Sequence, residues 1–206
     1  MSDVDVELPV PPGDPGPGDD RAPAKGRTRV APFIVLAVAV LIAGFFWILV
    51  SADKPDSETA YSPLVNRAAP AVTAQTLDGK PFDLQRRKGS WVVLNFFNST
   101  CVPCKTEHPE LVEFAAQQKA LGSNGVELYT VVWGNDSDSA VREFFADNGG
   151  DWPVLTDPEG SIAVAFAVPK VPETWIIDPD GVVRERIISN TTAQFLTSTI
   201  SELANA

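Results

Sequence analysis

Phe97-Asn98-Ser99-Thr100-Cys101-Val102-Pro103-Cys104-Lys105 holds the only two cysteines of the chain, spaced Cys-x-x-Cys. The run leading into it, Trp91-Val92-Val93-Leu94-Asn95-Phe96-Phe97, is apolar but for one residue and reads as a buried strand. The run after it sets Leu111, Phe114, Ala115 and Gln118 at helical spacing. Strand, tight turn and helix would put Cys101 at a helix N-terminus, where unpaired N–H groups and the helix dipole favour an anion. A thiolate is such an anion, so Cys101 is expected to have a depressed pKa and to act as a nucleophile. Cys104 falls about one turn further in, close enough to close a small disulfide ring. A ring that small removes little unfolded-state entropy, so the pair is suited to exchange rather than to stapling. A closed zinc site wants four ligands, and two thiols with the single histidine, His108, fall short of that. No cofactor is implied.

Working outward, the 206 residues carry 27 Asp and Glu against 16 Lys and Arg, which argues against nucleic acid as a partner. Cysteine is otherwise avoided, as suits an oxidising compartment. Residues 1–30, with Pro11-Pro12-Gly13-Asp14-Pro15-Gly16-Pro17-Gly18, cannot bury enough apolar surface to order themselves and read as a disordered cytoplasmic tail. Residues 31–50 carry no charge and match the length of a transmembrane helix. Arg21, Lys25, Arg27 and Arg29 before them, with Asp53, Asp56 and Glu58 after, orient the N-terminus to the cytoplasm and the domain outside. The rival is a cleaved signal peptide ending near Val50-Ser51-Ala52; the long tail and the length of the apolar run favour a membrane anchor. Residues 51–63 read as a linker, and 64–206 as the folded domain.

Within that domain, Asp78-Gly79 between Val72–Leu77 and Lys80–Phe82 signals a hairpin. Asp83 to Ser90 reads as a polar connection. Val126–Trp133 is a second buried strand, Asp136-Ser137-Asp138-Ser139 caps a helix carrying Val141, Phe144 and Phe145, and Trp152–Asp157 is extended. Ser161–Phe166 reads as a short helix. Pro179-Asp180-Gly181 turns a second hairpin, and Thr191–Leu203 closes the chain as an amphipathic helix. Two strands joined by a helix should run parallel through a right-handed crossover, and the last two must be antiparallel. The fold class is α/β, a mixed central sheet flanked by helices on both faces, with an added N-terminal β-hairpin.

Three stretches resemble the thioredoxin superfamily, and within it the membrane-anchored TlpA/ResA/CcmG-like thiol–disulfide oxidoreductases. They are Asn95-Phe96-Phe97 followed by Cys101-x-Pro103-Cys104, then Cys104-Lys105-Thr106-Glu107, then Val171-Pro172-Glu173-Thr174-Trp175-Ile176-Ile177-Asp178-Pro179-Asp180-Gly181. The resemblance spans roughly residues 64–204 and implies a thioredoxin-like fold. It departs at Thr100, where a Trp usually precedes the first cysteine, at Asn95, where thioredoxins proper carry a buried Asp, and at Lys170, where a Gly often stands two residues before the cis-proline.

Cys101 would attack and Cys104 would resolve, passing through a redox-active disulfide. The resemblance implies that Glu107 moves protons for Cys104 and that Pro172 is cis. The Val171 backbone would then meet an incoming peptide as an added strand, and Glu173 would touch substrate or tune the thiols. It further implies a bacterial envelope protein that keeps the haem-attachment thiols of apocytochrome c reduced by reducing their disulfide, or acts on other extracytoplasmic thiol proteins. A membrane electron donor of the CcdA/DsbD type would recharge it. Alternatives are an envelope thiol oxidant, a thioredoxin-like peroxidase, or a copper-handling chaperone using Cys101, Cys104 and His108, although His108 is expected near the helix surface. The triplets at Asn98 and Asn190 fit glycosylation acceptors and read as chance.

Overall fold

A computed structural model of the chain describes residues 31–51 and 58–206, with side chains over 32–47 and 59–206. The tail at 1–30 and residues 52–57 of the linker lie outside the described residues. The chain divides into two compact units, 1–52 and 53–206. In the first, Ala31–Ser51 forms one helix, α1. Its described side chains are exposed. Among the described residues no helix is long and apolar enough to cross a membrane.

The second unit is built on a strand buried at every position, Val92–Phe97 (β4). Its β-branched and aromatic side chains fit a pleated surface covered on both sides. β4 runs parallel to Glu127–Val132 (β5), which runs parallel to Val154–Leu155 (β6). On its other side β4 lies antiparallel to Glu173–Ile177 (β7), itself hairpinned to Val183–Ile188 (β8) through Pro179-Asp180-Gly181. Gly181 sits at φ 80°, a conformation that glycine adopts without a Cβ clash. Val102–Ala120 (α2) joins β4 to β5, and Asp138–Asn148 (α3), capped by Ser137, joins β5 to β6. Ser161–Ala165 (α4) precedes β7, and Ala193–Ala204 (α5), capped by Thr192, follows β8. A separate two-stranded hairpin pairs Thr73–Gln75 (β2) with Pro81–Asp83 (β3). The mixed sheet and the hairpin are those expected from the sequence.

Strand parity sorts the core. Val93, Ile176 and Ile187 face Leu111 and Phe114 of α2 and Leu196 and Ile200 of α5. Leu94, Phe96, Trp175 and Ile177 face the other way, onto Phe82 of the hairpin and Ile162 and Phe166 around α4. The two faces are therefore covered unequally. Long helices cover one, and the hairpin with a single short helix covers the other.

Two segments depart from the sequence reading. The linker read over 51–63 ends earlier, because Glu58–Thr59 (β1) pairs antiparallel with Ile187 and Ile188 of β8. Ala60 N–H donates to Arg186 O at 2.9 Å and Asn66 N–H to Val183 O at 2.7 Å, which satisfies an edge that would otherwise expose unpaired backbone. The polar connection at 83–90 contains a short 3₁₀ turn, Leu84–Arg87. Asp83 caps it through Gln85 N–H, and Leu84 is drawn into the core.

Candidate active site

β4 delivers the chain to the turn at 98–101, and the neighbouring elements fasten that turn. Asn98 Nδ2 donates to Trp133 O at 3.0 Å, while Asn98 Oδ1 accepts from Thr100 N–H at 2.9 Å. Asp136 grips Ser99 twice, taking its N–H at 2.5 Å and its hydroxyl at 2.7 Å. Trp133 Nε1–H reaches across to Val168 O at 3.2 Å, tying the end of β5 to the loop that leads into β7. Asn98, Ser99, Trp133 and Asp136 escaped the sequence reading as site residues. The bonds of Asn98 to Trp133, Ser99 to Asp136 and Trp133 to Val168 join segments more than thirty residues apart, and no local motif announces such bonds.

Cys101 is the N-cap of α2, and its sulfur accepts the Cys104 N–H at 3.1 Å. The two cysteines are disulfide-bonded with Cα atoms 5.3 Å apart. Cys101 is half-buried and Cys104 is sealed, at 1% exposure, against Phe97, Val132 and Val141. An incoming group thus reaches the first sulfur and not the second. The Val171–Pro172 peptide is cis, and Val171 O lies 3.7 Å from Cys101 Sγ.

Glu107 sits one turn beyond Cys104 on the inward stripe of α2, at 1% exposure. Its Oε2 accepts from Asn95 Nδ2 at 3.0 Å and its Oε1 from Thr191 N–H at 2.9 Å. The same Asn95 amide nitrogen is 3.0 Å from Thr174 Oγ1, and Asn95 Oδ1 is buried with no partner among the described residues. Burial pushes the Glu107 carboxyl up to about 8, and the two N–H donors oppose the shift. A carboxyl poised there can take or give a proton near neutral pH.

Glu173 has a different setting. Being odd-numbered on β7, it faces the opposite side of the sheet from Asn95 and Thr174. Its side chain is 1% exposed, with Oε1 accepting from Trp175 Nε1 at 2.8 Å and from Arg186 Nε at 3.0 Å, and Oε2 from Arg186 Nη2 at 2.9 Å. The expected substrate contact is therefore corrected, because both oxygens are taken by neighbours within the fold. The hairpin register could have revealed this, since Trp175 pairs directly with Arg186 and Glu173 lies two residues away on the same face.

His108 is likewise corrected. It is 2% exposed, not at the helix surface, with Nε2 2.8 Å from Gly149 O. Phe97, Phe144, Phe145 and Trp152 surround the ring. Burial lowers its pKa, and the Gly149 carbonyl partly restores it. Gly150, at φ 107°, leaves room for this packing, since a Cβ there would meet Trp152 at 2.9 Å. Among the described residues no group of three His, Cys, Asp or Glu side chains is arranged to hold a metal.

Residues 65–186, more than half of the chain, match the AhpC/TSA family. The chain belongs to that family. It is 35% identical over 165 residues to a thiol:disulfide interchange protein DsbE homolog of Paracoccus denitrificans, covering 77% of this chain and 85% of that protein. It is 32% identical to the thiol-disulfide oxidoreductase ResA of Bacillus anthracis, covering 82% and 90% of the two chains. It is 31% identical to the thiol:disulfide interchange protein HelX of Rhodobacter capsulatus, with 84% and 92% covered. Among solved structures, MTB dsbF, in mixed oxidized and reduced forms, superposes with a TM-score of 0.58 at 28% identity, over 65% of this chain and 95% of that one. A DsbF homologue from Corynebacterium diphtheriae gives 0.61 at 23% identity over 74% and 96%, a likeness of fold. The resemblance drawn from the three motifs holds, and the protein is a thiol–disulfide oxidoreductase with its Cys-x-x-Cys pair at the head of α2.

Proposed function

We propose that this chain is a membrane-tethered reductant on the extracytoplasmic side, acting on the Cys-x-x-Cys-His haem-attachment thiols of apocytochrome c. The observation that carries the exchange mechanism is the asymmetry of the pair, with Cys101 reachable at the helix cap and Cys104 sealed beside Glu107. Cys101 thiolate, favoured by the Cys104 N–H that points at its sulfur, attacks one sulfur of a substrate disulfide. A Cys101–substrate mixed disulfide forms and the other substrate sulfur leaves as a thiolate. Cys104 then gives its proton to the Glu107 carboxylate and attacks Cys101 Sγ. The second substrate thiolate leaves and the Cys101–Cys104 disulfide closes, so two electrons pass from the dithiol to the substrate. A membrane donor of the CcdA/DsbD type returns them. Extended backbone of the substrate lies along Val171, next to Pro172. The tether rests on the sequence, where residues 31–50 form an uncharged apolar run of membrane-spanning length. The basic run before it and the acids after it orient the domain outward, and anchoring raises the local concentration of the dithiol near membrane partners.

A Cys104→Ser variant of the full chain, expressed in bacterial membranes, tests this by trapping Cys101 mixed disulfides. Apocytochrome c among the trapped partners is the expected result. Partners that include none would sink the maturation role and leave the oxidoreductase. Fast oxidation of Cys101 by peroxide would favour the peroxidase alternative. Protease protection of residues 64–206 from the cytoplasmic side is the expected topology.

A further inference from the structure

Between β8 and α5 the chain makes a turn, 189–193, whose hydrogen bonds reach both walls of the site. Ser189 N–H donates to Pro172 O at 3.2 Å. Asn190 Nδ2 donates at 3.0 Å to the carbonyl of Pro103, between the two cysteines. Thr191 N–H donates to Glu107 Oε1 at 2.9 Å, and Ala193 N–H to Glu110 Oε2 at 3.0 Å. Ser189 holds φ 69°, a conformation uncommon outside glycine, and this aims the turn back at α2. We propose that turn 189–193 is a positioning element of thiol exchange. Asn190 locks the Cys-x-x-Cys end of α2 to the strand that carries the cis-proline contact, and the Thr191 N–H sets how readily Glu107 accepts the Cys104 proton. The inference rests on the exchange mechanism proposed above.

The surroundings of Glu107 leave the turn this influence. From β4 it meets Asn95, with Thr174 of β7 behind, and from the turn Thr191, all of them neutral. On its own helix the titratable neighbours are Cys104, His108 and Glu110. His108 is engaged by Gly149 and Glu110 by Ala193. Among the described residues no ion pair reaches Glu107. The charged carboxylate therefore depends on hydrogen-bond donors, and moving one of the two weakens the charged form relative to the neutral one. The side chain of Asn190 is the grip that keeps the turn against the first turn of α2. Releasing it loosens the Thr191 N–H without removing any buried apolar group.

The test uses the full chain in detergent, reduced and mixed with the aryl disulfide dithiobis(nitrobenzoate). Attack by Cys101 releases one thionitrobenzoate and leaves Cys101 joined to the other. Cys104 then passes its proton to Glu107, attacks Cys101 Sγ and releases the second, closing the Cys101–Cys104 disulfide. The pH profile of this second release is the readout. Asn190→Ala is expected to move its midpoint upward and slow the step about three- to tenfold at neutral pH, tenfold corresponding to one pH unit. Asn190→Ser, which keeps a donor, should fall between the two. In a Glu107→Gln background, Asn190→Ala should add no shift. Profiles of Asn190→Ala and wild type that coincide, or a shift that survives in Glu107→Gln, overturn the role of the turn. A reduced wild type that releases no thionitrobenzoate overturns the exchange mechanism and the turn's role with it.

Discussion

Glu107 and Glu173 are equally hidden, each at 1% exposure, on opposite faces of one sheet. Glu173 meets a guanidinium in a two-bonded pair, with Arg186 also stacked 5.4 Å over the Trp175 ring and reaching Tyr61 O. Glu107 meets only neutral donors. The first arrangement fixes a charge as part of the framework that ties β7, β8 and the segment entering from β1 together. The second leaves a carboxyl whose proton is held by burial and released by small changes around it. Depth alone does not make a carboxylate functional. The partner decides, and a buried acid without a cation is the one equipped to exchange a proton.

The comparison breaks first at Arg186. Arg186→Ala would strand the Glu173 carboxylate, and removing one member of a buried pair costs about 3–5 kcal/mol. Urea unfolding should show that loss, while Arg186→Ala with Glu173→Gln should recover much of it. If Arg186→Ala unfolds at the wild-type urea midpoint, the pair does not tie β7 to β8. At Glu107 the larger effect should fall on rate. Glu107→Gln keeps the shape and is expected to slow attack by Cys104 about a hundredfold, within the range for a lost proton acceptor. Glu173→Gln, by contrast, should leave the pH profile of that step in place.

Burial also gives Glu107 a signature in stability. The folded carboxyl is raised from 4.5 to about 8, so the native state binds the proton more tightly than the unfolded chain does. Its contribution is fully present below about pH 4.5 and is lost as the pH climbs through about 8. Unfolding free energies measured at intervals across that window should decline in wild type and lose this component in Glu107→Gln. A wild type and variant with parallel curves would mean that Glu107 is not held neutral by the fold.

Local signals made half of this site legible. The apolar run to Phe97, the two cysteines, and the punctuation around Pro172 and Gly181 each speak through spacing or backbone chemistry within a few residues. Which face Glu173 takes requires the β7–β8 register, and the turn at 189–193 bonds through backbone N–H groups and the Asn190 side chain to residues far away in sequence. Neither is audible in a local window. β1 is only two residues long and is ordered by the edge of β8, not by its own composition. His108 was readable, however. Cys104, Glu107, His108, Leu111, Phe114 and Gln118 form one inward stripe at helical spacing, and there periodicity outweighs the polarity of the imidazole.

That histidine supplies the smallest and opposite test. Burial among Phe97, Phe144, Phe145 and Trp152 lowers its pKa below 6.5, so the native state prefers the neutral ring. A depressed pKa of this kind contributes stability above the unfolded value and loses it as the pH falls below about 6.5. Just below about pH 6.5 the two buried groups therefore pull stability in opposite directions, and wild type alone blurs them. Glu107→Gln removes one and should expose a loss of stability on the acid side of neutrality. His108→Gln, whose amide can still donate to the Gly149 carbonyl but cannot titrate, should flatten that limb when added to Glu107→Gln. If the acid limb persists in the double variant, the proton responsible binds elsewhere, and the aromatic box around residue 108 holds its ring without any preference between charge states.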